Sequence, residues 1–270
     1  IMIDQWGEKM YDFAQKYDLN RGGGVGGNGI FSNKYRDSNT YGGSFTGSGY
    51  ADFNIMEGLT FTVNGSLYKY DRRYTYVNSP FVDHYTSSND NGSVSKGSYT
   101  TKTYNTQQLL NYVKTFGLHD VSAMIGHEYY NYEYQSLSGS GWNFGIDNAT
   151  ELNSLLNLNY PSSYSSRYNN EGFFFRGMYS YDSKYYGSFS IRRDASSRFH
   201  KDNRWGNFWS AGGAWVISKE DFFDVDWIDM LKFKASIGSQ GNDNIGNFRY
   251  ADSYDIVNNN NEVAYQWLQK

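Results

Sequence analysis

The fold is decided between Ser180 and Asn242, which read SYDSKYYGSFSIRRDASSRFHKDNRWGNFWSAGGAWVISKEDFFDVDWIDMLKFKASIGSQGN. Three runs alternate between apolar and polar side chains, and polar breaks of very unequal length separate them. The last run divides its residues between two faces, with Leu231, Phe233, Ala235 and Ile237 on one and Lys232, Lys234 and Ser236 on the other. This pattern is typical of strands in an outer-membrane β-barrel, whose apolar face meets lipid and whose polar face lines a wet interior.

The composition of the 270 residues fits such a barrel and excludes several other classes of protein. Aromatic residues make up 19% and hydrophobic residues only 39%, which suits strands with a polar face and aromatic girdles at the two membrane surfaces. Zero cysteines exclude a disulfide scaffold, and a net charge of −4 gives no footprint for nucleic acid. No apolar run is long enough for a transmembrane helix. Since the chain begins at Ile1, we expect an internal piece of a longer precursor.

The spacing of the strands predicts a barrel with two different ends. We expect strands near residues 41–56, 59–72, 103–116, 119–135, 172–182, 184–194, 207–217 and 230–240, with a further one beginning near Glu262. Short breaks at Glu57-Gly58, Gly117-Leu118 and Asp182-Ser183 alternate with longer breaks, including 73–102, 136–171 and 241–261. Outer-membrane barrels have short periplasmic turns and long extracellular loops. The alternation therefore predicts that the short breaks share the periplasmic end.

Two stretches of sequence resemble the barrel of SusC/RagA-type TonB-dependent transporters. The first is Asp194–Phe199 followed by Asn203–Gly206 and the strand Ser210–Ser218, which is similar to the family's D-G-S-S-R-F, N-R-W-G and G-W-R-I-S. The second is Trp227–Asn242, continued by Asn244-Ile245-Gly246, which is similar to its L-K-L-R-A-S-Y-G-x-x-G-N-x-x-I-G. Ala195 stands where the family has Gly, and Val216 stands where Arg is usual.

This resemblance implies an all-β fold, a transmembrane antiparallel β-barrel of twenty-two strands to which residues 1–270 contribute roughly eight or nine strands of one domain. It implies no enzyme but an importer in the outer membrane of a Bacteroidetes-type bacterium, surrounded by outer-membrane lipid. The expected cargo is an oligosaccharide or a peptide. The expected partners are a SusD-like lipoprotein lid and the TonB-ExbB-ExbD complex, the latter acting through an N-terminal plug and Ton box that these residues do not include.

Aromatic residues between positions 136 and 171 are the candidate contacts for cargo or lid. They are Trp142, Phe144, Tyr160, Tyr164 and Tyr168. Aromatic rings on a surface loop can stack on sugar rings, but packing of the loop against its own barrel explains them equally well. A secreted, soluble β-rich carbohydrate-binding protein is the alternative to the transporter, and it predicts a protein that stays monodisperse without detergent.

No cofactor is expected from the remaining motifs. Gly22–Gly27 matches a dinucleotide-binding fingerprint formally, but Asn28-Gly29 follows where a helix would be needed. The four histidines are too scattered to form a ligand set. Asn/Asp-rich stretches at Ser88–Gly92 and Asn242–Asn247 could hold Ca²⁺ through oxygen ligands, although turn formation is the more common use of such residues.

Overall fold

A computed structural model describes residues 2–3, 9–10, 36–79, 92–146, 150–225, 227–251, 254–259 and 262–267 of the protein. The elements are strands β1 (Met2–Ile3), β2 (Lys9–Met10), β3 (Arg36–Met56), β4 (Leu59–Asn78), β5 (Ser93–Phe116), β6 (His119–Phe144), β7 (Leu155–Leu158), β8 (Ser162–Tyr181), β9 (Tyr185–Ser196), β10 (Trp205–Val216), β11 (Lys232–Ser239), β12 (Tyr254–Asn259) and β13 (Glu262–Trp267), with 3-10 turns at Leu152–Ser154 and Ile217–Lys219. Among these residues, no helix is long and apolar enough to cross a membrane.

The main sheet is a nine-stranded meander. Its order is β11-β10-β9-β8-β6-β5-β4-β3, and the short β7 pairs with β6 beside this path. Two further sheets have two strands each, β1 with β2 and β12 with β13. The predicted all-β antiparallel fold is therefore confirmed, because consecutive strands along the chain lie next to each other in the main sheet.

The strands are longer than the sequence predicts, and the predicted long loops are correspondingly wrong in their bounds. Strand β4 runs to Asn78 and β5 begins at Ser93, so most of the predicted loop 73–102 is strand. Strand β6 runs to Phe144 and β8 begins at Ser162, so the predicted loop 136–171 is mostly strand as well. These extensions are rich in Tyr, Ser, Thr and Gly and lack an apolar face, so apolar alternation cannot reveal them. The predicted loop 241–261 likewise contains β12.

The three short breaks lie at one end of the main sheet, as predicted. Hydrogen bonds run between neighbouring strands at this end, from Val113 N to Gly58 O (2.8 Å), from Asp182 N to Leu118 O (2.7 Å) and from Val216 N to Lys184 O (2.8 Å). Asp182 and Ser183 both have positive φ, 49° and 52°. A tight two-residue hairpin needs this backbone conformation to match the right-handed twist of its strands. We call this end the short-turn end.

Strands β8 to β11 separate their side chains into two chemically different faces. Register pairs Ala211 with Phe189 on β9 and with Ile237 on β11, and one residue further it pairs Gly212 with Ser188 and Ser236. The odd-numbered residues of these strands form what we call the apolar face, and the even-numbered residues form the polar face. On the apolar face large side chains remain exposed, including Phe189 (45%), Ile191 (45%), Trp209 (44%), Phe233 (62%) and Ile237 (69%). The predicted division of residues 231–237 between two faces is therefore confirmed.

Two compact units divide the chain. The first comprises Ile1–Phe45, Lys69–Thr101 and Tyr134–Ser165, and its buried core consists of Val94, Phe144 and Leu155, with Val77 and Leu152 packed against them. The second comprises Thr46–Tyr68, Lys102–Glu133 and Ser166–Lys270, and it contains the short-turn end, β9 to β11 and β8 from Ser166 onward. That residues 1–270 belong to a single barrel domain stays a prediction.

Candidate functional site

The second unit carries a group of stacked aromatic rings that we call the tyrosine cluster: Tyr130 and Tyr132 on β6 and Tyr168 on β8. The ring of Tyr168 lies 5.1 Å from that of Tyr132 and 5.8 Å from that of Tyr130, measured between centroids. Tyr130 and Tyr132 are two residues apart on one strand, so both point to the same side of the sheet. The cluster therefore offers several aromatic rings on one surface.

Arg198 lies in the loop between β9 and β10 and connects the tyrosine cluster to the segment after β11. Its guanidinium carbon lies 4.1 Å from the centroid of the Tyr168 ring, within the range of a cation–π contact. Its Nε donates to Asn247 Oδ1 (3.1 Å) and its Nη1 donates to the Asp243 carbonyl (3.0 Å). The two stretches that carry the family resemblance thus meet at Arg198. Sequence reasoning missed this junction, since 45 residues separate Arg198 from Asp243 and no local pattern reports such a contact.

An ion-pair network lies on the polar face beside the cluster. Arg192 Nε donates to both carboxylate oxygens of Asp194, at 2.6 and 2.8 Å, and Arg192 Nη2 lies 3.4 Å from Glu128 Oε1. Gln107 Nε2 donates to the other oxygen of Glu128 at 3.0 Å. Each of these charges is therefore held in place by a partner, and the network forms an ordered polar wall.

A cavity of about 380 Å³ opens between this network and the β9–β10 loop. Its lining includes Glu128, Asn170, Arg192, Asp194, Arg204 and Asp243. Two lining atoms, Asn170 Oδ1 and Arg204 Nε, are buried and have no hydrogen-bond partner within the described part of the chain. Buried polar atoms normally find partners, so these two atoms suit an enclosed ordered water in the wall of the cavity.

The five aromatic residues singled out from the sequence occupy three different settings. Tyr168 belongs to the tyrosine cluster. Tyr160 and Tyr164 are exposed, at 90% and 60%, and the ring of Tyr164 lies 6.1 Å from that of Tyr134 in the first unit. Trp142 is half-buried opposite Asn157, whereas Phe144 is only 7% exposed and packs in the core of the first unit. Because the ring of Phe144 is buried within its own unit, we do not include it among the cargo or lid contacts proposed below.

The first unit has its own row of tyrosines. Ring centroids of Tyr70, Tyr99, Tyr134 and Tyr164 follow one another at 6.2, 6.1 and 6.1 Å. Arg72 donates to the Tyr99 hydroxyl and lies over its ring, 5.4 Å from the centroid. The high tyrosine content of the sequence is the only hint of this row. The composition does not show which strands pair, and that pairing aligns the four rings.

At the short-turn end, Glu220 accepts two hydrogen bonds that fix the connection after β10. The donors are the Tyr185 hydroxyl (2.6 Å) and Trp215 Nε1 (2.7 Å), and Lys184 Nζ lies 3.8 Å from the second carboxylate oxygen. The bond from Tyr185, followed by that from Trp215, holds the pKa of Glu220 below its ordinary value. Burial lowers the pKa of Lys184, but Asp182 and neighbouring carboxylates outweigh this effect and raise it overall.

These contacts predict a pH dependence for the anchoring of the connection. Because the folded-state pKa of Glu220 is lower than its unfolded value, the stabilisation is complete above the unfolded pKa and disappears as pH falls through the folded one. We expect Glu220→Gln to lower the melting temperature at neutral pH and to reduce its fall in acid. Thermal unfolding in detergent from neutral pH to pH 3 measures this, with Asp229→Gln, which changes a carboxylate of the same connection, as the control. Parallel profiles for wild type and Glu220→Gln would contradict the assignment.

No metal centre is built within the described ranges, where no group of three His, Cys, Asp or Glu side chains is placed to hold an ion. Most of the Ser88–Gly92 stretch lies outside the described residues. In Asn242–Asn247, Asn242 Oδ1 accepts from the Asn244 backbone N–H, and Asp243 Oδ2 accepts from Asn170. The Ca²⁺ hypothesis for these stretches stays a prediction.

Comparison with known proteins identifies proteins that are similar to this chain in sequence and in fold. No protein-family model matches the chain. The TonB-dependent receptor SusC of Bacteroides thetaiotaomicron is 35% identical over 172 residues, which are 63% of this chain and 16% of the receptor. The TonB-dependent receptor P39 of Formosa agariphila is 31% identical over 206 residues, 74% of this chain and 19% of that protein.

Solved structures agree with these sequence matches. The chain aligns with a chain of the RagAB peptide transporter at a TM-score of 0.85 and 24% identity, covering 93% of this chain and 28% of the other. It aligns with the open-open state of the RagAB peptide importer at a TM-score of 0.82 and 25% identity, covering 92% and 28%. The chain belongs to the SusC/RagA family of TonB-dependent receptors. It spans about a fifth of the length of the relatives that it matches in sequence.

Proposed function

We propose that the chain forms part of the wall of an outer-membrane importer that takes up oligomeric nutrients with energy supplied through TonB. One observation carries this proposal, the division of β8 to β11 into an exposed apolar face and a polar face. A soluble protein rarely leaves such a patch uncovered, whereas a barrel wall needs one. The secreted carbohydrate-binding alternative has no comparable observation in its favour.

The aromatic residues of the apolar face support a membrane-spanning position. Tyr185 lies opposite Trp215 near the short-turn end, and Trp205 lies opposite Ala195 ten residues further along β9. Ten residues span about 33 Å along a strand. At the usual tilt of about 40° this becomes about 25 Å, the height of the lipid-exposed band of an outer-membrane barrel. Tyr185 and Trp205 thus mark two interfacial girdles, with the short-turn end at the periplasmic side.

Oligosaccharide or peptide fragments are the cargo that the polar surface favours. Tyrosine rings stack on sugar rings or peptide side chains, and the cavity beside them is lined by polar and charged side chains such as Arg192 and Asp194. The structural neighbour RagAB is a peptide transporter. Glycan fragments are nevertheless our first choice, because the exposed contacts are mostly tyrosines. We further propose a SusD-like lipoprotein lid that meets exposed rings such as Tyr160 and Tyr164. A TonB-ExbB-ExbD complex would act elsewhere on the full-length protein.

The tyrosine cluster provides the test of this proposal. Replacing Tyr130, Tyr132 and Tyr168 together by alanine removes three stacking rings, each of which contributes about 0.5–1.5 kcal/mol. We expect the affinity for cargo to fall by about tenfold or more, with a matching loss of uptake when substrate is scarce. Growth of a strain with the full-length variant, on the nutrient that induces its operon, measures the effect.

A variant of the apolar face serves as the control for this experiment. Tyr179→Ala removes one exposed ring from β8, on the face turned away from the proposed pathway, and should leave uptake unchanged. Both proteins should reach the outer membrane in equal amounts, which immunoblotting of membrane fractions establishes. Normal growth and affinity of the triple variant at wild-type abundance would remove the cluster from the cargo pathway.

A further inference from the structure

Arg193 is a charged residue on the apolar face. It follows Ile191 on the odd-numbered side of β9, and register places it between Phe173 on β8 and Asn207 on β10. Its guanidinium lies over the ring of Trp205, 5.1 Å from the centroid, and the side chain is exposed. Within the part of the chain that the structure describes, no carboxylate forms an ion pair with it.

The neighbouring arginine shows how unusual this setting is. Arg192 points to the polar face and is held by Asp194 and Glu128. The acidic group closest in register to Arg193 on the apolar face is Glu171, and its carboxylate accepts from His127 Nε2 at 3.1 Å instead. His127 in turn stacks on Phe173 with centroids 4.6 Å apart. The apolar face therefore presents an exposed guanidinium that, in the described part of the chain, has an aromatic contact but no carboxylate partner.

The depth of Arg193 identifies that surrounding. If the wall spans the membrane as proposed above, Trp205 belongs to the outer girdle. Arg193 lies two residue pairs from it, and its long side chain brings the guanidinium over the Trp205 ring. Polar headgroups begin at this level. Arginine binds phosphate through two parallel hydrogen bonds, and its planar group can keep an aromatic contact at the same time.

We propose that Arg193, with Trp205 beneath it and Asn207 beside it, binds the phosphate of an anionic lipid in the outer leaflet. The exposed donors supply the charge complementarity, and the rings of Phe173 and Trp205 provide an apolar surface for the first part of the acyl chain. The site would select phosphorylated lipids over neutral ones in the layer of lipid that contacts the barrel. It has no part in cargo binding, since the cargo surface is on the other face.

The test uses the full-length protein in phosphatidylcholine nanodiscs that contain either bisphosphorylated lipid A or its dephosphorylated form. Native mass spectrometry counts the lipid A molecules retained by the protein. We expect wild type to retain the phosphorylated form preferentially, and Arg193→Gln to lose about tenfold in affinity for it, the effect of removing one charge-assisted contact. Affinity for the dephosphorylated form should not change, and inorganic phosphate should not displace the bound lipid.

Two control variants make the result decisive. Lys234→Gln removes the same charge from the polar face and should keep full lipid preference, and Arg193→Lys should keep part of it. Equal retention of both lipid forms by wild type overturns the inference, even if Arg193→Gln fails to fold. Equal binding by wild type and Arg193→Gln does the same. Failure of the wild-type protein to enter nanodiscs would instead contradict the proposed function, so the two can be told apart.

Discussion

Replacing Ile237 by arginine is expected to block assembly of the protein into the outer membrane. Ile237 is 69% exposed on the apolar face, and register aligns it with Ala211, about midway between Trp205 and Trp215 on β10. An arginine on a lipid-facing position near the middle of the bilayer costs about 2–4 kcal/mol. That is a large fraction of the stability of a typical domain. Heat-modifiable mobility on gels and the yield of folded protein in outer-membrane fractions measure the loss.

The control for this experiment lies on the same strand. Lys234→Ala changes a residue of the polar face of β11 and should assemble almost as well as wild type. The comparison separates the effect of the face from the effect of altering β11 at all. Equal folding yields for Ile237→Arg and Lys234→Ala would show that the apolar face does not meet lipid.

Replacing Arg198 by alanine is expected to release the segment after β11 from the loop between β9 and β10. The substitution removes the hydrogen bonds to Asp243 and Asn247 and the contact with the Tyr168 ring. Hydrogen bonds of charged groups contribute about 1.5–3 kcal/mol each, and the half-exposed position places the total loss at about 2–3 kcal/mol. Limited proteolysis should then cut residues 241–247 several times faster than in wild type.

A nearby loop residue provides the comparison. Lys201→Ala removes an exposed positive charge from the same loop and should leave the protease pattern unchanged. Asn247→Ala should reproduce part of the Arg198→Ala effect, because Asn247 accepts from Arg198 and donates to Ser166 at 2.8 Å. Cleavage of Arg198→Ala at the wild-type rate would mean that this segment is held by other contacts.

How far the sequence predicts the structure depends on the solvent that each strand meets. Strands β9 to β11 alternate between Phe or Ile and Ser or Lys, because one side faces an apolar surrounding and the other a wet interior, and prediction placed them within a few residues. The halves of β5 and β6 far from the short-turn end are mostly polar on both sides, as at Tyr99 and Thr100, and have only isolated apolar residues such as Val94 and Phe144. Nothing in an apolar–polar pattern distinguishes such strands from loops.

The candidate site was less predictable than the fold. The aromatic side chain of Tyr168 makes it a candidate from sequence, but its partners Tyr130 and Tyr132 come from another strand, and no local pattern shows that the three rings meet. Phe144 was chosen by the same criterion and is instead buried beside Val94. Residue type alone cannot separate a ring that packs within its own unit from one that remains available, because pairing across strands decides between them.

The meander of the main sheet has a consequence for how its strands can pair. From β3 to β11 each strand of the path pairs with strands that come just before and after it along the chain. Such a sheet can form by adding one hairpin at a time to a growing edge, with short loop closure at every step. No segment has to be threaded past another. Strand-by-strand pairing of this kind leaves few backbone groups unpaired at any stage, which an apolar surrounding requires.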